Sequence, residues 1–206
     1  MSNPLKEINP AKDVTVKVGG ESIDGRSVYK DRTFLYQLDS SIIPAAALPA
    51  GRPVEDRGPA EHRVRPVHGP VAVYASRDLY RDGKVIAAKG DKLAGSGFDG
   101  SKFGGDLFTA AADANGVVTV EATEAYRTLV SADNEHEAGW RAYIQCKRLK
   151  VSDRVENRFT EYFNDKEFES NIVWTRTPDM TPSIHIEKYD VPPANRPATA
   201  TTERTR

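Results

Sequence analysis

Residues 139–179 read GWRAYIQCKRLKVSDRVENRFTEYFNDKEFESNIVWTRTPD, and their reading decides the fold. "GWRAYIQCKRLKV" (139–151) and "VENRFTEYF" (155–163) are β-branched and aromatic runs that pair across the short "SDR". Such runs bounded by turn residues are the signature of strands. "NDKE" (164–167) then turns the chain into a third strand, "FESNIVWTRT" (168–177). Asn171, beside Ile172, Val173 and Trp174, is an amide in an otherwise apolar strand, and it calls for a partner.

The same grammar runs backward through the chain. "KDVTVKV" (12–18) alternates Val14, Val16 and Val18 against Thr15 and Lys17, and "GGESIDG" turns it. Alternation of period two marks a half-buried strand. "RTFLYQLDSS" (32–41) places Phe34, Tyr36 and Leu38 on one side. "AALPAGRPVEDRGPAEHRVRP" (46–66) is rich in Pro, Gly and Ala and reads as a long loop with at most short edge pieces. "GPVAVYASRDLY" (69–80) is a strand, answered through the Asp-Gly turn of "RDGK" (81–84) by "VIAAKGDKL". "GSGFDGSKFGG" (95–105) is a loop, and Asn115-Gly116 makes a second tight turn before Val118 and Val120. "EAYRTLVSAD" (124–133) fits one or two helical turns. Many short strands with almost no 3.6-residue periodicity predict an all-β sandwich or barrel. One domain over 9–179 is expected, with a linker at 1–8 and a Pro- and Thr-rich linker, or the start of a following module, at 180–206.

Composition removes several functions. The 206 residues carry a net charge of −1, which argues against nucleic acid or an acidic membrane surface as the main partner. No apolar run is long enough to span a bilayer. "MSNPLKEINP" has neither a basic n-region nor an apolar h-region, so the chain reads as cytoplasmic or as a piece of a longer secreted protein. The single cysteine, Cys146, makes no internal disulfide, so any covalent staple is of another kind.

Several motifs resemble chemistry without its context. "GSGFDG" (95–100) satisfies G-x-G-x-x-G but leads into "SKFGGD", which opens no helix to cradle a pyrophosphate. His62, His68, His136 and His185 form no zinc-ligand spacing. Ser40, Ser41 and Ser170 lie in no nucleophile elbow. Cofactors are expected to be none, with calcium left open at the turns holding Asp82, Asp99 and Asp113, which do not follow EF-hand spacing.

Three stretches taken in order carry a specific signal. They contain Pro10, Lys12, Asp13 and Val14; then Tyr36, Leu38, Ile43, Pro44 and Ala45; then Gln145, Lys147, Arg148, Glu156, Asn157, Ser170, Asn171, Val173, Thr175, Thr177 and Pro178. This series resembles the C-terminal adhesin domains of the streptococcal antigen I/II surface proteins. The resemblance spans most of 9–179, is densest over the last 40 residues and is thin through 46–110. It implies an immunoglobulin-like variant of the two-sheet β-sandwich, with long loops and at most short helical turns. It also implies a spontaneous isopeptide bond from a lysine on the first strand to an asparagine on the last, assisted by a carboxylic acid on an intervening strand. Matched residue by residue, the lysine is Lys12 and the asparagine is Asn171. The acid falls in "VEDRGPAEH" (54–62), which is shorter than the family's Asp-Asp-Tyr-Asp-like stretch, so Glu55 or Asp56 is the candidate.

The residues themselves agree with such chemistry. A lysine attacks an amide only when neutral, and burial among apolar groups disfavours its ammonium form. The same burial raises a carboxyl pKa, so a neighbouring acid is kept protonated and donates to the amide carbonyl. Lys12 shares parity with Val14, and Asn171 shares parity with Val173 and Thr175, so both are expected to face inward. Lys6 is a competing amine and Asn157 a competing amide. A crosslink closing about 160 residues is worth roughly 5 kcal/mol in the chain-entropy account of disulfides.

The expected function is therefore non-enzymatic, apart from one autocatalytic crosslink: a stalk or binding domain of a Gram-positive adhesin. It is expected outside the cell, wall-anchored in the full-length protein, with a host or microbial surface protein or glycan and its own neighbouring domains as partners. No nucleic acid and no membrane insertion are expected. Loops at 46–70 and 95–110 are the expected contact places. A carbohydrate-binding module, which needs exposed aromatics, and a virion or tail structural protein, which needs oligomers, stand as alternatives. A hydrolase fits least, because no nucleophile–base set appears.

Overall fold

The computed structural model describes residues 8–45, 54–56, 64–66, 71–133, 135–163 and 166–181, with the side chains of 54–56 and 64–66 outside that description. Its main sheet begins with β1 (Ala11–Thr15), β2 (Thr33–Asp39) and β11 (Trp140–Arg148), adjacent and antiparallel, with Lys12 opposite Leu38 and Leu38 opposite Ala142. Beyond β11 lie β5 (Ala72–Ala75) and β8 (Lys92–Ala94), and β4 (Val64–Pro66) also pairs with β11.

Shorter sheets complete the domain. One holds β3 (Val54–Asp56), β10 (Val118–Ala122) and β9 (Phe108–Ala112). The others pair β12 (Ser152–Asn157) with β15 (Val173–Thr177), β13 (Thr160–Phe163) with β14 (Lys166–Glu169), and β6 (Leu79–Arg81) with β7 (Lys84–Ala87). This is the all-β architecture that the strand pattern predicts, in the immunoglobulin-like sandwich form that the family resemblance implies. All its described strands lie between residues 11 and 177.

The core follows the alternation. Phe34, Tyr36 and Leu38 are buried from β2, and Ala142, Ile144 and Cys146 from β11. Phe108 on β9 reaches Trp140 at a centroid separation of 5.5 Å and joins the short sheet to the main one. Helix α1 (Glu124–Ala132) buries Tyr126, Leu129 and Val130, and Thr123 caps it by accepting from the Tyr126 N–H. The Asp82-Gly83 turn has positive φ at both residues, 51° and 70°, as the β6–β7 hairpin requires.

Three details depart from the sequence reading. Val14 is fully buried, but Val16 is 62% exposed and Val18 is exposed as well, because β1 stops at Thr15. There Thr15 Oγ1 donates to the Lys17 carbonyl and Gly20 N–H bonds back to the same carbonyl, so the chain turns before the alternation is used. The strand expected over 69–80 is two, β5 and β6, each paired with a different partner. Asn171, expected to face inward, is exposed, because β15 begins only at Val173 and the amide is drawn sideways to β1.

Candidate functional site

β1 delivers Lys12 to the interior. Its residues alternate outward and inward at Ala11, Lys12, Asp13 and Val14, and Lys12 keeps only 4% of its surface. The Lys12 Nζ lies 4.7 Å from the Tyr36 ring centroid and 5.8 Å from that of Phe159. Aromatic faces attract an ammonium, while burial disfavours it. Two aromatic rings thus line the Lys12 amine.

Asn171 meets Lys12 at the main chain. Its Oδ1 accepts from the Lys12 N–H at 2.7 Å, and its Nδ2 donates to the Lys12 carbonyl at 2.9 Å. The amide thereby occupies the edge of β1 much as a neighbouring strand would.

A second carboxamide faces the core. Val155 and Phe159 are buried, and Asn157 shares their parity. Across β12 and β15, Asn157 is opposite Val173 and Val155 opposite Thr175, both buried. The Asn157 Oδ1 is buried without a hydrogen-bond partner. An orphaned buried carbonyl costs about 1–3 kcal/mol, so it calls for an explanation. Phe159, two residues further along the same inward row, is the ring beside the Lys12 amine.

Of the candidate acids, Glu55 lies opposite Thr119 and Asp56 opposite Val118 in the β3–β10 register, and β3 packs against β13. Their side chains lie outside the described part. Glu161 on β13, which sequence reasoning passed over, is a buried carboxyl. It accepts from the Ser41 N–H at 3.1 and 3.2 Å and from the Ser41 hydroxyl. Burial pushes its pKa up, against the lowering effect of the Ser41 bonds. Burial, aided by the Glu161 charge, likewise raises Tyr126, whose hydroxyl is buried without a partner. The inward alternation Val155, Asn157, Phe159, Glu161 is the signal that points to Glu161.

The other candidates have structural roles or lie elsewhere. "GSGFDG" leads into a 3-10 turn at Ser101–Phe103, and a Cβ on Gly100 would come within 2.4 Å of the Gly105 carbonyl, so that glycine serves close packing. His136 stacks on Tyr80 at 3.6 Å with its Nδ1 3.1 Å from Asp133. His62, His68, His185 and Lys6 lie outside the described residues. Among the described residues no cluster of acidic, His or Cys side chains is placed to hold a metal. No described helix is long and apolar enough to cross a membrane. Trp140 is core, and Trp174 is half-buried with the Arg154 guanidinium 4.6 Å over its ring.

Comparison with known proteins agrees with this architecture. The family model described as "Cell surface antigen C-terminus" matches residues 9–178. The aggregation substance of Enterococcus faecalis is 30% identical over 196 residues, which is 93% of this chain and 14% of that protein. The C-terminal domain of the Streptococcus pyogenes antigen I/II-family protein AspA aligns with a TM-score of 0.68 at 24% identity, covering 84% of this chain and 48% of that one. The C-terminal domain of the Streptococcus agalactiae antigen I/II polypeptide BspA aligns at 0.67 and 21% identity, covering 82% of this chain and 50% of that one. The chain thus spans about half of each solved relative and a small part of the curated one.

Proposed function

The chain belongs to the family of cell-surface antigen C-terminal domains, and from that premise we propose that it is a stalk or binding unit of a Gram-positive adhesin, stapled by one Lys–Asn isopeptide bond. Its place is the extracellular surface, in a longer wall-anchored protein. Its partners are neighbouring domains of that protein and a host or microbial surface protein or glycan.

The observation that carries the crosslink is the buried, unpartnered Asn157 carbonyl on the same inward row as Phe159, the ring beside the Lys12 amine. The neutral Nζ of Lys12 attacks the carboxamide carbon, and a protonated carboxyl stabilises the oxygen as it takes on charge. The C–N bond to the amide nitrogen then breaks, and that –NH2 leaves as ammonia with the one proton shed by the amine. Glu55 and Asp56 are the candidate acids from β3. Asn171 is the second acceptor, favoured by its two hydrogen bonds to the Lys12 main chain. The Asn157 reading is preferred, because Lys12 sends its amine inward while the Asn171 amide stays at the exposed edge.

Either bond ties β1 to the last part of the domain, so force entering through β1 passes into β12 or β15 without unravelling the sheets between. The carbohydrate-module reading loses support from the two tryptophans, one in the core and one covered by Arg154. Intact-mass spectrometry tests the proposal: the crosslinked protein weighs about 17 Da less than its sequence, one ammonia. The full sequence mass would refute it.

A further inference from the structure

We propose that the ladder joining residues 24–28 to β15 is a shear clamp, a load-bearing lock for the part of the chain that the staple leaves uncovered; this role rests on the reading of Asn157 as the crosslink acceptor.

β15 is bonded on both sides. On one side it pairs antiparallel with β12, with Asn157 opposite Val173 and Ser152 opposite Thr177. On the other, Ser27 forms a parallel bridge with Arg176. The hydrogen bonds of this second side run the length of the strand. Gly25 N–H donates to the Trp174 carbonyl at 2.8 Å, Arg176 N–H to the Arg26 carbonyl at 3.1 Å, and Val28 N–H to the Arg176 carbonyl at 2.8 Å. Two further rungs are made by side chains. The Trp174 N–H donates to Asp24 Oδ1 at 2.7 Å, and the Thr177 hydroxyl donates to the Val28 carbonyl at 2.8 Å. Val28 and Thr177 are buried, so water does not compete for that last rung.

A bond between Lys12 and Asn157 encloses everything from β1 to β12 and leaves residues 158–177 outside it. Tension entering at Lys12 crosses to Asn157 and leaves the domain past Thr177. The uncovered stretch includes the β13–β14 hairpin, whose register runs from Thr160 opposite Glu169 to Phe163 opposite Lys166. Ladder bonds stand perpendicular to antiparallel strands, so a hairpin pulled apart at its open end breaks one rung at a time. Such a hairpin resists little.

β15 is loaded differently. Asn157 lies at the end of β12 away from Thr177, so tension slides β15 along β12. Residues 24–28 run parallel to β15 and are tethered from their N-terminal side to β1, while β15 is pulled from its C-terminal side. Opposite ends of two parallel segments are then drawn apart, and their rungs share the load and break together. The clamp thus guards the stretch that the staple does not.

Force-clamp spectroscopy on the full chain, held at its two ends, tests this. The crosslinked wild type should release residues 158–177 alone, at most roughly 70 Å of extended chain. Asp24→Ala combined with Thr177→Val removes two rungs without touching the main chain. It should shorten the lifetime under load roughly tenfold and leave the released length unchanged. Thr123→Ala, which removes a comparable bond at the α1 cap, away from β15, should leave the lifetime unchanged. Equal lifetimes for the wild type and the double variant overturn the clamp, and so does an equal shortening by Thr123→Ala. If the double variant does not fold, Asp24→Ala alone, a change at an exposed residue, decides by the same lifetime. Release of roughly 580 Å, the whole of β1 to β15, would overturn the crosslink reading, and release of roughly 20 Å would move the staple to Asn171. The lifetimes decide the clamp in each case.

Discussion

The carboxamide of Asn171 brackets the main chain of Lys12, accepting from its N–H at 2.7 Å and donating to its carbonyl at 2.9 Å across 159 residues of sequence. This pairing holds the edge of β1, and the Lys12 amine lies inward beside the Tyr36 and Phe159 rings. Asn171→Ala should therefore cost about 1–2 kcal/mol through two lost hydrogen bonds, yet leave the mass deficit of the protein intact. Thermal unfolding and intact mass, measured together, check this. Return to the full sequence mass would make Asn171 the acceptor.

Lys12→Ala should abolish the mass deficit and lower the melting temperature sharply. Losing a crosslink over about 145 residues costs on the order of 5 kcal/mol by analogy with disulfides. Differential scanning calorimetry reads the change. A melting temperature equal to that of the wild type would argue that no staple is present.

Glu161 gives a pH dependence of known sign. Burial raises its pKa in the folded protein above the ordinary value, so the folded state holds the proton more tightly than the unfolded chain. Its stabilising contribution is fully present below the unfolded pKa of about 4.3 and is lost as pH rises through the folded value. Glu161→Gln, uncharged throughout, should flatten that part of the stability profile. Denaturant melts of both proteins across this acid range test it, and parallel profiles would count against the assignment.

Thr123 is the N-cap of α1, and its hydroxyl oxygen accepts from the Tyr126 N–H. Thr123→Ala should cost about 1 kcal/mol while leaving the crosslink untouched. A denaturation midpoint within error of the wild type would show that this cap contributes nothing.

Much of this was legible in the sequence, and the limits have physical causes. The alternation of Phe34, Tyr36 and Leu38 is also the alternation of burial, because β2 is a central strand with neighbours on both sides. Val16 and Val18 show the same alternation outside any strand, since a Gly19–Gly20 turn ends β1 first. Lys12 follows its parity with Val14 into the interior, because both lie within the paired strand β1. Asn171 misled because parity assigns a face only within a paired strand, and it precedes β15. Asn157 and Glu161 lie on a row that pairs with different strands, first β15 and then β14, so one alternation crosses two sheets. Arg148 follows the inward parity of Ala142, Ile144 and Cys146, but composition alone places an arginine outside.

The most direct measurement is a peptide map of the trypsin-digested protein by tandem mass spectrometry. The account predicts a branched peptide in which the Lys12 side chain is joined to Asn157, with no cleavage after Lys12. Linear peptides ending at Lys12, together with an unmodified peptide containing Asn157, would contradict it.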